Sequence, residues 1–271
     1  MEEWRFLHTG KGPPALNMAI DEAIMLAHAQ GLVPPTVRFY GWDPPTLSIG
    51  YFQRVEKEVD IQRLRQRGLG FVRRPTGGRA VLHDQELTYS VVVAEHHPLM
   101  PPSVVESYRV ISNGLVEGFR RLGLAARMVP LNGQRKPTAI GSAACFDSPS
   151  WYELVVEGKK IAGSAQWRQK GVLLQHGSIL QELDVDLLLE VLRFPSEAAR
   201  AAMRATLLEK AVPIHWLRPP VSWAEMVEAF VAGFEQGLGI RLVEGELTAE
   251  EKRLAEQLAR RYASDEWNFR R

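Results

Sequence analysis

The residue best suited to act as a nucleophile is the lone cysteine, Cys145. It lies in a run of small and turn-forming residues, 141–150, in which a thiol can be exposed on a loop. A thiol reacts as its thiolate, and a free cysteine has a pKa of about 8.5, so a catalytic cysteine needs a nearby cation or base. Unpaired cysteines also serve as small buried hydrophobes, so the residue type alone leaves both roles open.

Lys160 is the candidate partner of this thiol. It follows Gly158 and precedes the small residues of the run 161–166, which let a ligand or another backbone approach closely. Neighbouring side chains of a strand point to opposite faces, so only one of Lys159 and Lys160 can enter a site. Two ordinary surface lysines beside a turn are the alternative, which spacing alone favours.

A third unusual stretch covers residues 73–84, where Gly77 and Gly78 lie between two strand-like segments. Paired glycines allow close backbone approach and unusual dihedral angles, so this stretch could line a ligand slot. It lacks the phosphate-loop pattern, and no dinucleotide fingerprint occurs in the chain, so nucleotide binding is not supported. His83 and His176 lack the spacing of metal ligands, and we interpret both as structural or supporting residues.

The elements that must position these residues are strands first and helices last. Residues 15–30 carry apolar side chains at helical spacing, and a capping box at residues 103–106 begins a second amphipathic helix. Segments rich in β-branched or aromatic residues, separated by Gly, Pro or Asp, predict strands. These segments are 36–40, 46–50, 69–73, 79–82 and 87–94.

A hairpin is predicted directly after Cys145. Segments 151–156 and 160–167 flank Glu157-Gly158-Lys159, and residues 172–180 continue the meander. After about residue 184 the pattern is helical, with capping boxes beginning at Ser222 and Thr248. The order predicts an α+β fold. We expect one domain, 1–271, with a helical C-terminal part, 184–271.

Composition limits the class of protein. The chain has 271 residues, 45% hydrophobic and 24% charged, which is ordinary for a globular domain. A net charge of +1 argues against a nucleic-acid binder. One segment, 61–80, holds six arginines and no acid, and could attract an acidic partner or could be a solvated face. These arginines are Arg63, Arg65, Arg67, Arg73, Arg74 and Arg79.

The cellular location is expected to be the cytoplasm. No segment approaches the ~18 apolar residues that cross a bilayer, and the first residues lack the pattern of an export signal. A single cysteine excludes an internal disulfide framework and a multi-cysteine metal site. We therefore expect no membrane association.

Seven groups of residues together resemble the octanoyltransferases of the LipM type, within the lipoate–protein ligase and biotin ligase superfamily. The resemblance spans nearly the whole chain, and its motifs are specific in combination. They are 17–19 with 21–23, 38–42, 50–53, 73–84, 145–153, 158–166 and 262–268. The resemblance implies the fold of the biotin/lipoate–protein ligase catalytic domain, with mixed, mostly antiparallel sheets flanked by helices.

The resemblance also implies the roles of individual residues. Cys145 matches the cysteine that accepts the acyl group, and Lys160 matches the second catalytic group. An acyl slot is expected between the glycine-rich loop and the strand after Lys160. Its expected residues are Arg74, Thr76, Gly77, Gly78, Arg79, Ala80, His83, Gly163, Ser164 and Ala165.

The activity implied is transfer of octanoate from acyl carrier protein to the H protein of the glycine cleavage system, or to a lipoyl domain, in lipoate biosynthesis. No ATP and no metal are expected to take part. Both carriers are acidic, which would give the arginine segment a role.

Three alternatives remain. An ATP-dependent lipoate–protein ligase would carry three consecutive glycines where this chain has Gly77-Gly78-Arg79, and its activity would survive Cys145→Ser. An amidotransferase that moves octanoyl between lipoyl domains also uses a loop cysteine. A non-catalytic module would bind the acylated carrier without forming an adduct.

Overall fold

The computed structural model describes residues 1–130 and 152–270, and within them the chain forms eleven strands and nine α-helices. The strands are β1 (Glu2–Gly12), β2 (Thr36–Trp42), β3 (Thr46–Ile49), β4 (Gly70–Arg73), β5 (Val81–His83), β6 (Glu86–Ala94), β7 (Arg127–Pro130), β8 (Tyr152–Val156), β9 (Lys159–Gln169), β10 (Val172–Leu180) and β11 (Ile240–Glu244). The helices are α1 (Pro14–Ala29), α2 (Val55–Glu58), α3 (Ile61–Gln66), α4 (Val104–Arg121), α5 (Val185–Glu190), α6 (Glu197–Lys210), α7 (Trp223–Leu238), α8 (Ala249–Ala263) and α9 (Asp265–Asn268).

The strands form two sheets. The larger sheet has the order β11-β1-β2-β6-β10-β9-β8-β7, and the smaller sheet has the order β4-β3-β5. Pairing is parallel between β11, β1 and β2 and between β3 and β4, and antiparallel elsewhere. Mixed, mostly antiparallel sheets with flanking helices confirm the predicted α+β class.

Helices cover both faces of the larger sheet. Helices α4 and α7 pack on one face, where Phe39, Phe119 and Phe230 belong to the main core cluster. Helices α1 and α8 pack together on the other face, where Met18 and Tyr262 are fully buried. We call these the α4/α7 face and the α1 face. Two-sided burial explains why strand β10 is buried along its whole length.

Local sequence signals account for most element ends. The turn between β8 and β9 holds Glu157 and Gly158 at φ values of 51° and 78°, as a two-residue hairpin loop of the I′ type requires. Both predicted capping boxes, at Ser222 and Thr248, are formed. At Ser103 the side chain accepts a hydrogen bond from the Glu106 amide, which begins α4 and is one half of the predicted capping box. The predicted hairpin and the boxes at Ser222 and Thr248 are confirmed, and the box at Ser103 is confirmed in that half.

Strands β1 and β11 were missed by the sequence analysis. They pair in parallel, with Glu2 opposite Ile240, although the two residues lie at opposite ends of the chain. Such a pairing leaves no local turn signal, because its partner is set by the tertiary fold. The C-terminal part, 184–271, predicted as helical, therefore also supplies an edge strand.

The C-terminal tail is fixed by a buried arginine. The side chain of Arg73 donates hydrogen bonds to the carbonyl oxygens of Gly50, Tyr51 and Gln53 and, on the other side, to that of Asn268. The Asn268 side chain in turn accepts from the Arg73 amide at 2.8 Å. One guanidinium thus joins the end of β4, the segment after β3 and α9.

Arg73→Lys is expected to lower the free energy of unfolding by about 3–5 kcal/mol, because an ammonium cannot satisfy this set of buried carbonyls. Urea denaturation measures the change. Arg65→Lys, at an exposed position of α3, is the matched control and should leave the midpoint unchanged. Equal midpoints for the two variants would contradict the role given to Arg73.

Candidate active site

A narrow cavity, which we call the slot, lies between the larger sheet and strand β5 with the loop before it. It holds about 420 Å³ of empty space and its walls are mainly apolar. Its lining consists of Met18, Tyr40, Trp42, Arg74, Gly77, Gly78, Val81, His83, Thr88, Gly163, Ser164, Ala165, His176, Gly177 and Ser178.

Seven of the ten expected slot residues line this cavity, and three do not. Thr76 is turned aside and its hydroxyl lies 2.7 Å from His176 Nε2. Arg79 points outward and forms an ion pair with Glu58 at 3.6 Å. Ala80 is buried in a separate hydrophobic cluster beneath the smaller sheet. Contact of these three residues with an acyl chain stays a prediction.

Backbone segments around the slot pack closely at two glycines. Gly177 of β10 lies opposite Ser164 of β9. A Cβ at Gly177 would point to the α4/α7 face and lie 2.4 Å from the carbonyl oxygen of Gly163 and 2.8 Å from the Tyr89 ring. A Cβ at Gly50 would lie 2.1 Å from the carbonyl oxygen of Gly78, which lines the slot. Larger side chains at these positions would displace the backbone that forms the slot walls.

Lys160 is a buried lysine at the start of β9. Its side chain is 7% exposed, and its Nζ lies 3.9 Å from Glu153 Oε1. The neighbouring lysine is directed elsewhere, because Lys159 Nζ donates to the Leu208 carbonyl oxygen at 3.2 Å. Lys160 is not part of the slot lining; it lies three residues before Gly163, roughly 10 Å along the strand.

An irregularity in β9 turns Lys160 towards the slot side. Ala162 pairs with Leu154, but the next pair is Lys160 with Val155, so Ile161 is an extra residue in β9. Ile161 and Ala162 consecutively enter the core on the α4/α7 face. A β-bulge of this kind re-aims the side chains beyond it.

The consequence is that Lys160 and Gly163 share one face. Leu154 belongs to the core on the α4/α7 face, so the side chain of its neighbour Val155 points to the opposite face. Lys160 pairs with Val155, and its side chain therefore points to that opposite face as well. Gly163 pairs with Ser178, which also points away from that core. Strict alternation would have put the lysine on the opposite side of the sheet from the slot.

Cys145 lies outside the described residues. The described chain stops at Pro130 and resumes at Tyr152, and these two residues pair at the ends of β7 and β8. Since Leu154 pairs antiparallel with Ala162, the chain enters β8 from the side of Ser164, which lines the slot. The position of the thiol stays a prediction.

A buried polar network closes one wall of the slot. Asp21 of α1 accepts hydrogen bonds from Arg38 at 2.7 Å, Tyr40 at 2.9 Å and Ser90 at 2.8 Å. The Nδ1 of His176 lies 3.4 Å from Asp21 Oδ2. Burial alone would raise the pKa of Asp21, but the Arg38 charge and the bonds from His176 and Ser90 bring this pKa below its ordinary value.

His176 is held neutral by its surroundings. Burial lowers the pKa of His176 below its ordinary value, and the hydrogen bond and charge of Asp21 oppose the shift only in part. His176 was not predicted to line the slot. It lies opposite Ala165 in the β9–β10 pair, and this register is a tertiary feature that the sequence does not specify.

A second polar chain runs behind the opposite wall. Arg74 donates to Ser48 at 2.7 Å, Ser48 lies 2.6 Å from His83 Nε2, and His83 Nδ1 lies 2.8 Å from Glu86. The ring of Trp42 stacks on His83 with centroids 4.3 Å apart. Two residues expected in the slot, Arg74 and His83, are thereby fixed in orientation.

The arginine segment does not form a single basic surface. Arg73 and Arg74 are buried, and Arg79 pairs with Glu58. Arg63 and Arg67 both approach Glu190, at 3.6 and 2.6 Å. Acids outside the segment thus pair with three of the six arginines, which a count along the segment could not reveal.

Within residues 1–130 and 152–270, no helix is both long and apolar enough to cross a bilayer. No group of three or more metal-binding side chains is assembled in the same part of the chain.

The mixed sheet, the narrow apolar slot and the buried lysine on its side define a catalytic domain for an acyl chain. The chain belongs to the family of the lipoyl protein ligase A/B catalytic domain, which matches residues 13–235.

Curated relatives cover the whole chain. Octanoyltransferase LipM of Kyrpidia tusciae is 62% identical, with all of both chains aligned. Octanoyltransferase LipM of Bacillus subtilis is 54% identical over 100% of this chain and 99% of that relative. The resemblance to LipM-type enzymes, and with it the acyltransferase class, is confirmed.

Solved structures of lipoate protein ligases share this fold. A bipartite lipoate protein ligase from Thermoplasma acidophilum, studied with its E2 lipoyl domain, superposes with a TM-score of 0.82 at 30% identity and covers 99% of this chain and 97% of its own. A lipoate-protein ligase A bound with ATP gives 0.78 at 31% identity, with 99% of each chain covered. The predicted fold family is confirmed.

The neutral state of His176 predicts how stability depends on pH. Because its folded-state pKa lies below the 6.5 of an unfolded chain, the unfolded state binds the extra proton as pH falls below about 6.5. Stability should fall from pH 7 to pH 5, by at most about 1.4 kcal/mol per pH unit for this group.

His176→Gln should reduce that fall without abolishing it, because burial also lowers the pKa of His28. Urea midpoints at several pH values measure the slope, and exposed His96→Gln is the control. An unchanged slope in His176→Gln would refute the assignment.

Proposed function

We propose that this chain transfers an octanoyl group from octanoyl-acyl carrier protein to a lysine of the glycine cleavage H protein or another lipoyl domain, through a thioester on Cys145. The single observation that carries the proposal is a narrow apolar slot with a buried lysine on its side. Full-length identity to enzymes named octanoyltransferase supports the same reading.

The slot suits a saturated chain. Its lining is largely apolar, and each methylene of an acyl chain removed from water contributes about 0.8 kcal/mol. Two glycines and one alanine in the lining, Gly77, Gly163 and Ala165, carry little or no side chain and leave width for such a chain. The polar networks of Asp21 and Glu86 lie behind the walls, which keeps those walls in place.

Lys160 is the group best placed to stabilise negative charge on a reacting carbonyl at the end of the slot. A cation there would stabilise the thiolate and the oxyanion of the tetrahedral intermediate. The Glu153 carboxylate, 3.9 Å away, keeps a counter-charge near the ammonium. The bulge at Ile161 gives this cation its orientation.

Cys145 enters the proposal through the resemblance and through chain connectivity. It lies seven positions before Tyr152, so a fully extended chain could carry it no more than about 25 Å from that residue. The slot-lining Ser164 belongs to the same end of the β8–β9 hairpin. A thiol on this connection can therefore reach the slot.

The reaction has two halves. The Cys145 thiolate attacks the donor thioester carbonyl, the carbon–sulfur bond to the carrier breaks, and the carrier sulfur leaves and takes up a proton. The acceptor lysine then loses a proton, attacks the enzyme thioester and forms an amide, which releases the Cys145 thiolate. Lys160 stabilises the oxyanion in both halves and assists the proton transfers.

The ATP-dependent ligase is the alternative that a solved relative favours, since one similar structure holds ATP. That reaction activates a free acid and needs no thiol. It therefore predicts a product that requires ATP and persists in Cys145→Ser.

Intact-mass measurement separates these reactions. Octanoyl-acyl carrier protein mixed with the enzyme, without ATP and without acceptor, should produce one octanoyl adduct that Cys145→Ala abolishes. Lys160→Ala should slow adduct formation by about 10²–10⁴-fold, the usual contribution of a positioned proton-transfer group, while Lys159→Ala should not. No adduct on the wild-type enzyme would contradict the proposal.

A further inference from the structure

A second, wider cavity lies beside the slot, on the other side of the His83–Glu86 pair. It holds about 1160 Å³ of empty space and opens to solvent. Five carboxylates belong to its lining, so we call it the acidic groove; they are Asp84, Glu86, Glu182, Asp184 and Asp186. Arg204 is the one cation in that lining, and its guanidinium is engaged with Asp186 at 2.8 and 3.1 Å.

One carboxylate of the groove lacks part of its hydrogen bonding. Glu86 is 1% exposed, and its Oε1 is bonded by His83, Trp42 and Thr88. Its Oε2 is buried and has no hydrogen-bond partner among the described residues. A buried carboxylate oxygen without a donor is costly, and Glu86 belongs to the groove lining, so a positive charge in the groove would offset part of this cost through the electric field of the carboxylate.

Asp84 adds a second uncompensated charge. Burial raises its pKa above the ordinary value, and the charge of Lys11 opposes that shift only in part. Within 1–130 and 152–270 it has no hydrogen-bond or ion-pair partner. Glu182 by contrast lies 3.1 Å from His215 Nδ1, at the far side of the groove.

The remaining lining is apolar. Leu180, Leu208 and Trp216 belong to it, and Trp216 is 47% exposed. A lysine side chain combines an apolar stem of four carbons with a charged end, and such stems pack along apolar walls. An exposed indole can also face an ammonium. The groove therefore offers an apolar wall for the stem of a lysine side chain and carboxylates for its ammonium.

The groove lies at the reacting end of the slot. Leu180 and Glu182 continue β10 beyond Ile179, which pairs with Ala162 of β9. Because β9 runs antiparallel to β10, the part of β9 that lies next to these residues is its start, at Lys160. Lys159, the residue before Lys160, donates a hydrogen bond from its Nζ to the carbonyl oxygen of Leu208, which lines the groove. This bond holds the start of β9 beside the groove.

We propose that the acidic groove receives the ammonium-bearing side chain of the acceptor lysine and guides it to the acyl-enzyme. The inference rests on the proposed function, in which a lysine is the second substrate. Negative charge in the groove attracts this substrate and repels a nucleoside triphosphate.

The test separates the two half-reactions. In Asp84→Asn/Glu182→Gln, two carboxylates become amides of the same size. Loading of octanoyl from the carrier involves no amine and should keep the wild-type rate. Transfer to the acceptor domain should show a KM about tenfold higher at low salt, with the difference shrinking as ionic strength rises. Exposed Glu256→Gln in α8 is the matched control.

A double-mutant cycle of dissociation constants tests the contact between the groove and the acceptor lysine without turnover. The apparent Kd of the acceptor domain should rise in the groove variant, but the Kd of an acceptor whose target lysine is replaced by Gln should not. Equal losses for the two acceptors, or no loss for either, would overturn the groove assignment. Failure of the wild-type enzyme to load octanoyl would instead refute the proposed function, and the double-mutant cycle would still decide whether the groove takes a lysine.

Discussion

The site depends on one break in a strand's alternation: Ile161 and Ala162 are neighbours in sequence and yet pack into the same core. The bulge costs a regular pair in the ladder. In return, the burial of two apolar side chains determines where Lys160 points, because the next side chain must leave the core. Hydrophobic packing on one face of the sheet thus positions a cation on the other.

The surrounding structure keeps that arrangement rigid. Asp21 and Arg38 are buried charges that satisfy each other and also fix Tyr40 and His176 in the slot wall. Arg73 fixes the segment after β3 against the C-terminal tail. Buried charges with complete hydrogen bonding tolerate few alternative packings, which suits a slot that must keep its width.

The sequence predicted the parts of this fold that have local causes. Glu157-Gly158 predicts a hairpin because a two-residue loop needs positive φ, and Ser222 and Thr248 predict helix starts because their side chains can cap amides. The pairing of β1 with β11 has no such local cause. The segment that holds six arginines was left with two readings for a related reason: Glu190, which pairs with both Arg63 and Arg67, is distant in sequence.

The same difference between local and tertiary causes applies to the residues of the site. The expected slot residues came from the resemblance to a known family, and seven of them line the cavity. Thr76 and Ala80 belong to the same stretch but are not in its lining, since the side-chain directions of a loop depend on its partners. His176 and the bulge at Ile161 depend on register between strands, which a single sequence does not specify.

The proposed function requires the acyl carbonyl to lie beside Lys160 once the enzyme is loaded. The most direct test is the 15N NMR signal of Lys160 Nζ, assigned with Lys160→Arg, before and after octanoyl is attached to Cys145. The account predicts that the Lys160 signal moves on loading while that of Lys159 stays in place. A Lys160 signal that is unchanged in the loaded enzyme would contradict it.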